Sequence, residues 1–235
     1  MGVKDFKLTD TDKEAIMDYN SNYINNKGAR LYDKDTYTES VEYYRLAAAM
    51  GNMQAVSNLG YCYLYGRNID INVDLAIAYF KISADRGVID SMYKLGDIYS
   101  RDKWVKPDKE KALYYYTMAI GKIIDEDNEY EDIDYRDVWE NLWLYHNEKA
   151  LRYPSLFFAV GRELKSGDMM NKNLTESFEF LKIAEKGYKS AIANGAEMYK
   201  ESYENVLKLI EDPEFVKAKK DFENKYVSED YENEE

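Results

Sequence analysis

The chain has 235 residues, of which 45% are hydrophobic, and carries a formal net charge of −13. This composition can bury a core, and the longest apolar runs are too short to cross a bilayer. The single cysteine, Cys62, excludes an internal disulfide framework, and the charged N-terminal segment lacks the apolar stretch of a signal peptide. We therefore predict a protein of the reducing cytoplasm that does not bind a membrane.

The excess negative charge lies in two segments. Residues 125–137 hold eight acids and one base, and residues 221–235 hold seven acids and one base. The rest of the chain is balanced, with 30 acids and 30 bases. Because no extended basic stripe is present, the sequence argues against a nucleic-acid-binding protein.

Helical patterns begin close to the N-terminus. Residues 11–14 (Thr-Asp-Lys-Glu) have the form of a capping box and predict the start of a first helix. A second helix is expected around 28–32. Another capping box at 36–39 predicts a third helix, which ends at Gly51.

Two helical hairpins follow. We predict a helix over 53–65, a turn at Gly66 and a second helix over 72–87 with Asn72 as its N-cap. The next hairpin begins with a helix over 89–101, and its second helix starts after Pro107.

The pattern departs from this order over residues 121–152. We expect 125–137 to form a solvated acidic loop and 138–151 to form an extra helix. Trp139 and Trp143 lie four residues apart in that helix and are predicted to pack against the body of the protein.

After the insert, Gly161 and Gly167 repeat the six-residue spacing of Gly60 and Gly66. A capping box at 173–176 then predicts a helix that ends at a left-handed Gly187. A long closing helix is expected over 191–210, and 226–235 are expected to be a disordered acidic tail.

The hairpins are repeats with an offset of 36 residues. Glycine inside a helix costs about 1 kcal/mol relative to alanine, so the recurring mid-helix glycines predict close packing between helices. The recurring positions pair Leu59-Gly60 with Leu95-Gly96, Tyr63 with Tyr99, Ala76 with Ala112, and Tyr79-Phe80 with Tyr115-Tyr116.

This pattern resembles the Sel1-like repeats, which are relatives of the tetratricopeptide repeats. The match is clear over residues 40–120 and recurs over 153–192. The resemblance implies an all-α fold, a right-handed α–α superhelix (solenoid) of helical hairpins. We expect a single solenoid domain over 1–225, followed by the tail at 226–235.

The resemblance also implies a scaffold or adaptor that binds proteins or peptides. We therefore expect a non-enzymatic monomer that needs no cofactor and binds another protein or a peptide on its concave face. In helical solenoids the first helix of each hairpin commonly lines that face. The candidate partner-binding residues are positions on these helices that the repeat pattern leaves free, together with one loop tryptophan: Asn58, Tyr61, Tyr65, Lys94, Asp97, Arg101, Trp104, Arg162 and Lys165.

The sequence lacks the known patterns of catalytic and metal-binding sites. His146 is the only histidine, and no Gly-x-Ser-x-Gly context accompanies it. The acidic segment fails as a calcium-binding EF-hand loop because Tyr130 stands where glycine is required and Arg136 where glutamate is required. The sequence therefore predicts no catalytic residue, no cofactor and no metal site.

One alternative function is favoured by the acidic segment. An acidic inhibitor or immunity-type protein could block a basic toxin or enzyme through residues 125–137, and its binding would depend strongly on salt.

Overall fold

The structure is a computed structural model that describes residues 6–32, 37–124, 148–168 and 170–224. Within these ranges every regular element is helical, which confirms the predicted all-α class. The α-helices are α1 (Asp10–Met17), α2 (Ser21–Arg30), α3 (Tyr37–Ala49), α4 (Met53–Tyr65), α5 (Val73–Ala84), α6 (Ile89–Ser100), α7 (Lys109–Ile124), α8 (Glu148–Leu151), α9 (Pro154–Ser166), α10 (Leu174–Ala193), α11 (Lys200–Ile210) and α12 (Val216–Phe222).

Contacts divide the chain into two compact units, Met1–Leu95 and Gly96–Glu235. The boundary falls inside α6, so this helix contributes residues to both units. The proposed single domain over 1–225 stays a prediction. The acidic segment 125–137, both tryptophans of the expected extra helix, His146 and the tail at 226–235 lie outside the described residues.

The predicted start of the first helix is wrong by two residues. Thr9, not Thr11, is the N-cap: its Oγ1 accepts a hydrogen bond from the Asp12 backbone N at 3.2 Å. Asp12 Oδ2 in turn accepts from the Thr9 backbone N at 2.8 Å. The capping box therefore has Asp12 at its last position, whereas the prediction assumed Glu14 there.

The second helix is longer than the predicted 28–32 and runs over Ser21–Arg30. Asn20 caps it by accepting a hydrogen bond from the Tyr23 backbone N at 3.0 Å. The capping box expected at 36–39 begins at Thr36, which lies outside the described residues, and α3 begins at Tyr37.

The central hairpin of α4 and α5 follows the prediction. Gly66 ends α4 in a left-handed conformation with φ 67°, and Asn72 Oδ1 caps α5 by accepting from the Leu75 backbone N at 2.9 Å. Gly51 and Gly87, which follow α3 and α5, are also left-handed, with φ of 85° and 87°. A residue with a β-carbon rarely adopts these angles, which explains the glycines at the helix ends.

The predicted close packing at the mid-helix glycines is confirmed in the two matched hairpins. A β-carbon added to Gly60 would lie 2.8 Å from the Phe80 ring, and one added to Gly96 would lie 2.5 Å from the Tyr116 ring. Both rings belong to the second helix of the same hairpin and are fully buried. Glycine is therefore needed so that the aromatic ring can lie directly on the first helix.

The same contact occurs at two further glycines. A β-carbon on Gly161 would lie 2.9 Å from Leu181, and one on Gly28 would lie 2.9 Å from the Tyr44 ring. Ser40 Oγ donates to the Gly28 carbonyl at 2.8 Å, and Ser177 Oγ donates to the Gly161 carbonyl at 2.6 Å. The α2–α3 and α9–α10 hairpins thus pack like the central one and add a hydrogen bond across the contact.

Two predictions about α10 are wrong. Gly187 does not end a helix, because α10 continues past it to Ala193. A β-carbon at Gly187 would lie 2.6 Å from the carbonyl oxygen of Leu151, so this glycine permits a close approach of the chain at the end of α8. The predicted closing helix over 191–210 is interrupted by the left-handed Gly195, with φ 92°, after which α11 begins at Lys200.

Candidate partner-binding surfaces

In the first unit, helix α4 separates its packing residues from its candidate binding residues. Leu59 and Cys62 are buried, whereas Asn58 and Tyr61 are half-buried and Tyr65 is 36% exposed. Positions three or four residues apart share one side of an α-helix, so Asn58, Tyr61 and Tyr65 form one face.

The two tyrosines of this face stack on each other. The rings of Tyr61 and Tyr65 are 6.3 Å apart between centroids and are tilted by 10°. Tyr61 also meets Phe80 edge to face at 5.0 Å. Tyr61 is therefore held in place by the packed hairpin, and it supports the more exposed ring of Tyr65.

Lys94 of α6 lies among tyrosine rings. Its Nζ is 5.0 Å from the ring centroid of Tyr93, 5.4 Å from that of Tyr61 and 5.9 Å from that of Tyr65. It also donates a hydrogen bond to Tyr65 Oη at 3.5 Å. Lys94 is only 6% exposed, so it acts on this surface by its charge and by ordering the rings rather than by projecting into solvent.

Arg67 completes this group, although it is not among the candidate residues predicted from the sequence. Its Cζ lies 5.0 Å from the ring centroid of Tyr32 and 5.7 Å from that of Tyr65. Arg67 directly follows the left-handed Gly66, and a cation immediately after this turn could have been noticed in the sequence. We refer to Tyr32, Tyr61, Tyr65, Arg67, Tyr93 and Lys94 as the aromatic–cation cluster.

Asn58 contacts the preceding hairpin. Its Nδ2 donates to Asn25 Oδ1 of α2 at 3.0 Å. Asn52, the N-cap of α4, makes a parallel contact, in which its Nδ2 donates to Asn22 Oδ1 at 2.8 Å. Asn58 therefore helps to join α2 to α4. Asn22 and Asn25 are its polar neighbours, and neither was predicted as a candidate from the sequence.

The second unit holds a separate group of candidates. Arg101, which directly follows α6, pairs with Asp97 of that helix, and Asp97 is 8% exposed. On α9, Arg162 Nη2 pairs with Glu163 Oε1 at 3.4 Å and lies over the Phe158 ring. The structure therefore places charged pairs at the predicted positions of both helices, with the buried carboxylate of Glu163 as an additional member.

Electrostatics connect these two pairs. Burial raises the pKa of Glu163, and the charges of Arg162 and Arg101 partly oppose this shift. Burial also raises the pKa of Tyr116 to about 12, and the negative charge of Glu163 adds to this effect. The charges of Arg101 and Arg162 therefore both act on the buried carboxyl group of Glu163.

The last two candidates, Trp104 and Lys165, lie apart from these charged pairs. Trp104 is half-buried, and the Nζ of Lys103 lies 4.8 Å from its ring centroid. Lys165 Nζ pairs with Asp212 Oδ2 at 3.0 Å and lies over the Phe215 ring at 5.7 Å. Lys165 thus joins α9 to the closing segment of the second unit.

Three further features of the described residues concern metal ions, the single thiol and membranes. In the part of the chain that the structure describes, no group of three or more His, Cys, Asp or Glu could hold a metal ion. Cys62 is buried, and burial raises the pKa of its thiol to about 11. The same described ranges contain no helix that is both long enough and apolar enough to span a membrane.

In each of these hairpins a ring or a branched side chain packs on a mid-helix glycine. This recurrence is typical of an α-helical repeat protein. Comparison with protein families identifies the repeat, because residues 23–52, 54–88 and 89–121 each match the family model of the Sel1 repeat. The chain therefore carries three Sel1 repeats, and the resemblance found in the sequence is confirmed. Proteins built from this repeat generally serve as protein-interaction scaffolds.

Solved structures similar to this chain include other repeat proteins. One is a Sel1 repeat protein from Oxalobacter formigenes, with a TM-score of 0.43 and 16% identity over 82% of this chain and 87% of that chain. Another is a protective antigen present in uropathogenic Escherichia coli strains that displays an SLR fold, with a TM-score of 0.44 and 19% identity over 75% of this chain and 41% of that chain. No curated protein matches the chain. Because both TM-scores are below 0.5, the assignment to Sel1 repeats depends on the family model.

Proposed function

We propose that this protein is a non-enzymatic scaffold or adaptor that binds another protein or a peptide. In the first unit the proposed contacts are the candidate residues of α4, and in the second unit they include Arg101, which follows α6, and Arg162 of α9.

The observation that supports this function most directly is that the two sides of α4 differ in burial and composition. Its glycine and aliphatic residues are buried in the hairpin, whereas Asn58, Tyr61 and Tyr65 lie on a less buried side of the helix, where Tyr61 also touches Phe80.

The composition of this face suits protein recognition. Tyrosine and arginine are enriched at interface positions that contribute most to affinity, because each combines apolar area with hydrogen-bonding capacity. Tyr61 and Tyr65 supply stacked rings in the first unit, and Arg101 and Arg162 supply guanidinium groups in the second. Rings and charges that already contact one another lose little conformational freedom when a partner binds.

The alternative of an acidic inhibitor depends on residues 125–137. These residues lie outside the described ranges, and no contact of the described residues favours this alternative. It stays a prediction from the sequence.

Site-specific photocrosslinking tests the proposed function. A photoreactive phenylalanine analogue would replace Tyr65, which is 36% exposed, in the full-length protein expressed in its native cells. The matched control carries the analogue at Ile82 of α5, which is 52% exposed in the same unit. We expect one discrete crosslinked product from position 65 and none from position 82, and equal products at both positions would contradict the proposed surface.

Once a partner is captured, its affinity should be measured with single variants of the surface. We expect Tyr61→Ala, Asp97→Asn and Arg162→Gln to weaken binding while the helical circular-dichroism spectrum is retained. If the affinity of all three variants equals that of the natural protein, the proposed binding surface is wrong.

A further inference from the structure

Asn194 and Gly195 are exposed neighbours in the turn between α10 and α11. They form the one Asn-Gly sequence of the chain. Because glycine has no side chain, its backbone N can approach the side-chain amide of a preceding asparagine without steric hindrance. These two residues can therefore react with each other, and the reaction needs only water as a co-reactant.

The reaction is a deamidation that begins with the closure of a ring. The backbone N of Gly195 attacks Cγ of Asn194, a bond forms between these two atoms, and Nδ2 leaves as ammonia with the proton that the backbone N gives up. Water then opens the five-membered imide ring. Cleavage of the Cγ–N bond gives aspartate, whereas cleavage of the backbone C–N bond gives isoaspartate, in which the main chain continues through Cβ and Cγ.

The folded turn keeps the two reacting atoms apart. Asn194 has a ψ of 13°, so the backbone N of Gly195 nearly eclipses the backbone N of Asn194 and lies away from the β-carbon that carries the amide. The Gly195 N–H donates to the Ile192 carbonyl at 2.9 Å, and the Ala196 N–H donates to the Ala191 carbonyl at 3.0 Å. The two hydrogen bonds form a Schellman motif around the left-handed Gly195. Ring closure requires a rotation about ψ of Asn194, which breaks both bonds.

We propose that Asn194 is a site of spontaneous deamidation and that the turn between α10 and α11 controls its rate. A folded protein opens locally at a lower cost in free energy than it unfolds globally, and exposed turns are among the segments that open most readily. The asparagine therefore reacts in the fraction of molecules in which the Schellman motif is open. This inference does not depend on the proposed function.

Deamidation should in turn weaken the turn in which it occurs. The new carboxylate lies at the C-terminal end of α10, where the negative end of the helix dipole disfavours an anion. Isoaspartate also lengthens the main chain by one atom, which moves the Gly195 and Ala196 N–H groups relative to the carbonyls that they contact. The attachment of α11 begins close to this turn, because the ring of Tyr199 lies 5.3 Å from that of Tyr188 in α10.

Incubation of the full-length protein at pH 8, followed by mass spectrometry of the tryptic peptides 190–200 and 201–208, tests the inference. We expect deamidation of Asn194 to be at least about tenfold slower in buffer than in guanidinium chloride that unfolds the chain. In the unfolded chain Asn194 should react faster than Asn205, an internal control that is followed by valine. Equal rates at Asn194 in buffer and in denaturant, or equal rates at Asn194 and Asn205 in denaturant, would overturn the inference.

A matched pair of variants tests the control by the turn. Tyr199→Ala removes the ring contact with Tyr188 and should speed deamidation in buffer by about threefold to tenfold, because the turn then opens more often. Met198→Ala changes a side chain of the same turn that is 79% exposed and should leave the rate unchanged. Both variants should react like the natural protein in denaturant. Equal rates of the two variants in buffer would contradict the control by the turn.

The Asn194→Asp variant carries the product carboxylate and tests its effect on the turn. We expect the Gly195 and Ala196 amides to exchange hydrogen faster in this variant than in the natural protein, because the Schellman motif is open more often. Equal exchange rates would show that the product does not weaken the turn.

Discussion

The ring of Phe80 lies directly on Gly60, so close that a β-carbon at Gly60 would come within 2.8 Å of it. Phe80 is fully buried, and its ring also meets Tyr61 of the candidate surface at 5.0 Å. One contact therefore joins the packing of the hairpin to the position of a proposed binding residue.

Replacing Gly60 by alanine should destabilise the protein. Alanine is better than glycine by about 1 kcal/mol in a helix interior, but overpacking a buried ring costs about 1–3 kcal/mol. We expect a net loss of about 1 kcal/mol in the free energy of unfolding, measured by urea denaturation.

The double variant Gly60→Ala/Phe80→Leu provides the control for this prediction. A smaller side chain at position 80 makes room for the methyl group, so the two changes should together cost less than the sum of their separate effects. Additive effects would show that the predicted steric conflict between positions 60 and 80 does not exist.

The sequence predicted those packing contacts whose residues lie close together along the chain, and it missed contacts between distant residues. The contact at Gly60 was predictable, because a glycine inside a strongly helical pattern needs a compensating neighbour. Gly187 was misread, because the carbonyl of Leu151 that requires it lies 36 residues earlier and has no signature in the sequence. The interruption at Gly195, after the end of α10 at Ala193, was not predicted because residues 191–210 keep a helical pattern on both sides of the turn.

The candidate surface was predictable only in part. Tyr61 and Tyr65 could be assigned to one face from helical spacing alone. The sequence shows a cation directly after the turn at Gly66, but the position of Arg67 over the Tyr65 ring depends on the backbone angles of that turn and could not be predicted. The burial of Lys94 likewise depends on where the rings of neighbouring helices lie, and helical spacing does not define that.

The buried ion pair of Asp12 and Lys27 should make stability depend on acid. Asp12 is fully buried; burial raises its pKa, but hydrogen bonds from Lys27, Thr9 and Tyr43 outweigh burial and lower the pKa to about 2. Because the folded-state pKa lies below the ordinary value of 3.8, the stabilisation is complete above that value. It is lost as the pH falls from about 4 through 2.

Asp12→Asn should therefore lower the free energy of unfolding at pH 7 by about 2 kcal/mol. The difference between this variant and the natural protein should shrink as the pH falls from 4 to 2. Asp10→Asn serves as the control, because its pair with Lys13 is exposed and should contribute little. A difference that stays constant over this pH range would contradict the assigned role of Asp12.

Three buried serines join the helices of the first unit. Ser91 Oγ donates to Ser57 Oγ at 2.8 Å and makes a short hydrogen bond with Ser83 Oγ, so the hydroxyl groups connect α4, α5 and α6. Removing the central hydroxyl by Ser91→Ala leaves two buried hydroxyls without this partner. We expect this change to cost about 1–3 kcal/mol of unfolding free energy, measured by urea denaturation.

The triple variant Ser57→Ala/Ser83→Ala/Ser91→Ala distinguishes a hydrogen-bond effect from a packing effect. Replacing all three hydroxyls leaves none of them buried without a partner, so the triple variant should cost less than three times Ser91→Ala. If the triple variant loses three times as much unfolding free energy as Ser91→Ala, the loss of packing volume, rather than an unsatisfied hydroxyl, causes the destabilisation.

The thiol of Cys62 should be protected in the folded protein. It is fully buried in α4 beside the candidate surface, and burial raises its pKa to about 11, so the thiolate that reacts with alkylating reagents is scarce at pH 8. We expect labelling by iodoacetamide to be at least about a hundredfold slower in buffer than in 8 M urea, because an unfolded thiol has a pKa near 8.5. Equal labelling rates in both solvents would show that α4 opens readily in the native state, and that the packed helix cannot hold the tyrosine rings in the arrangement that the proposed binding surface requires.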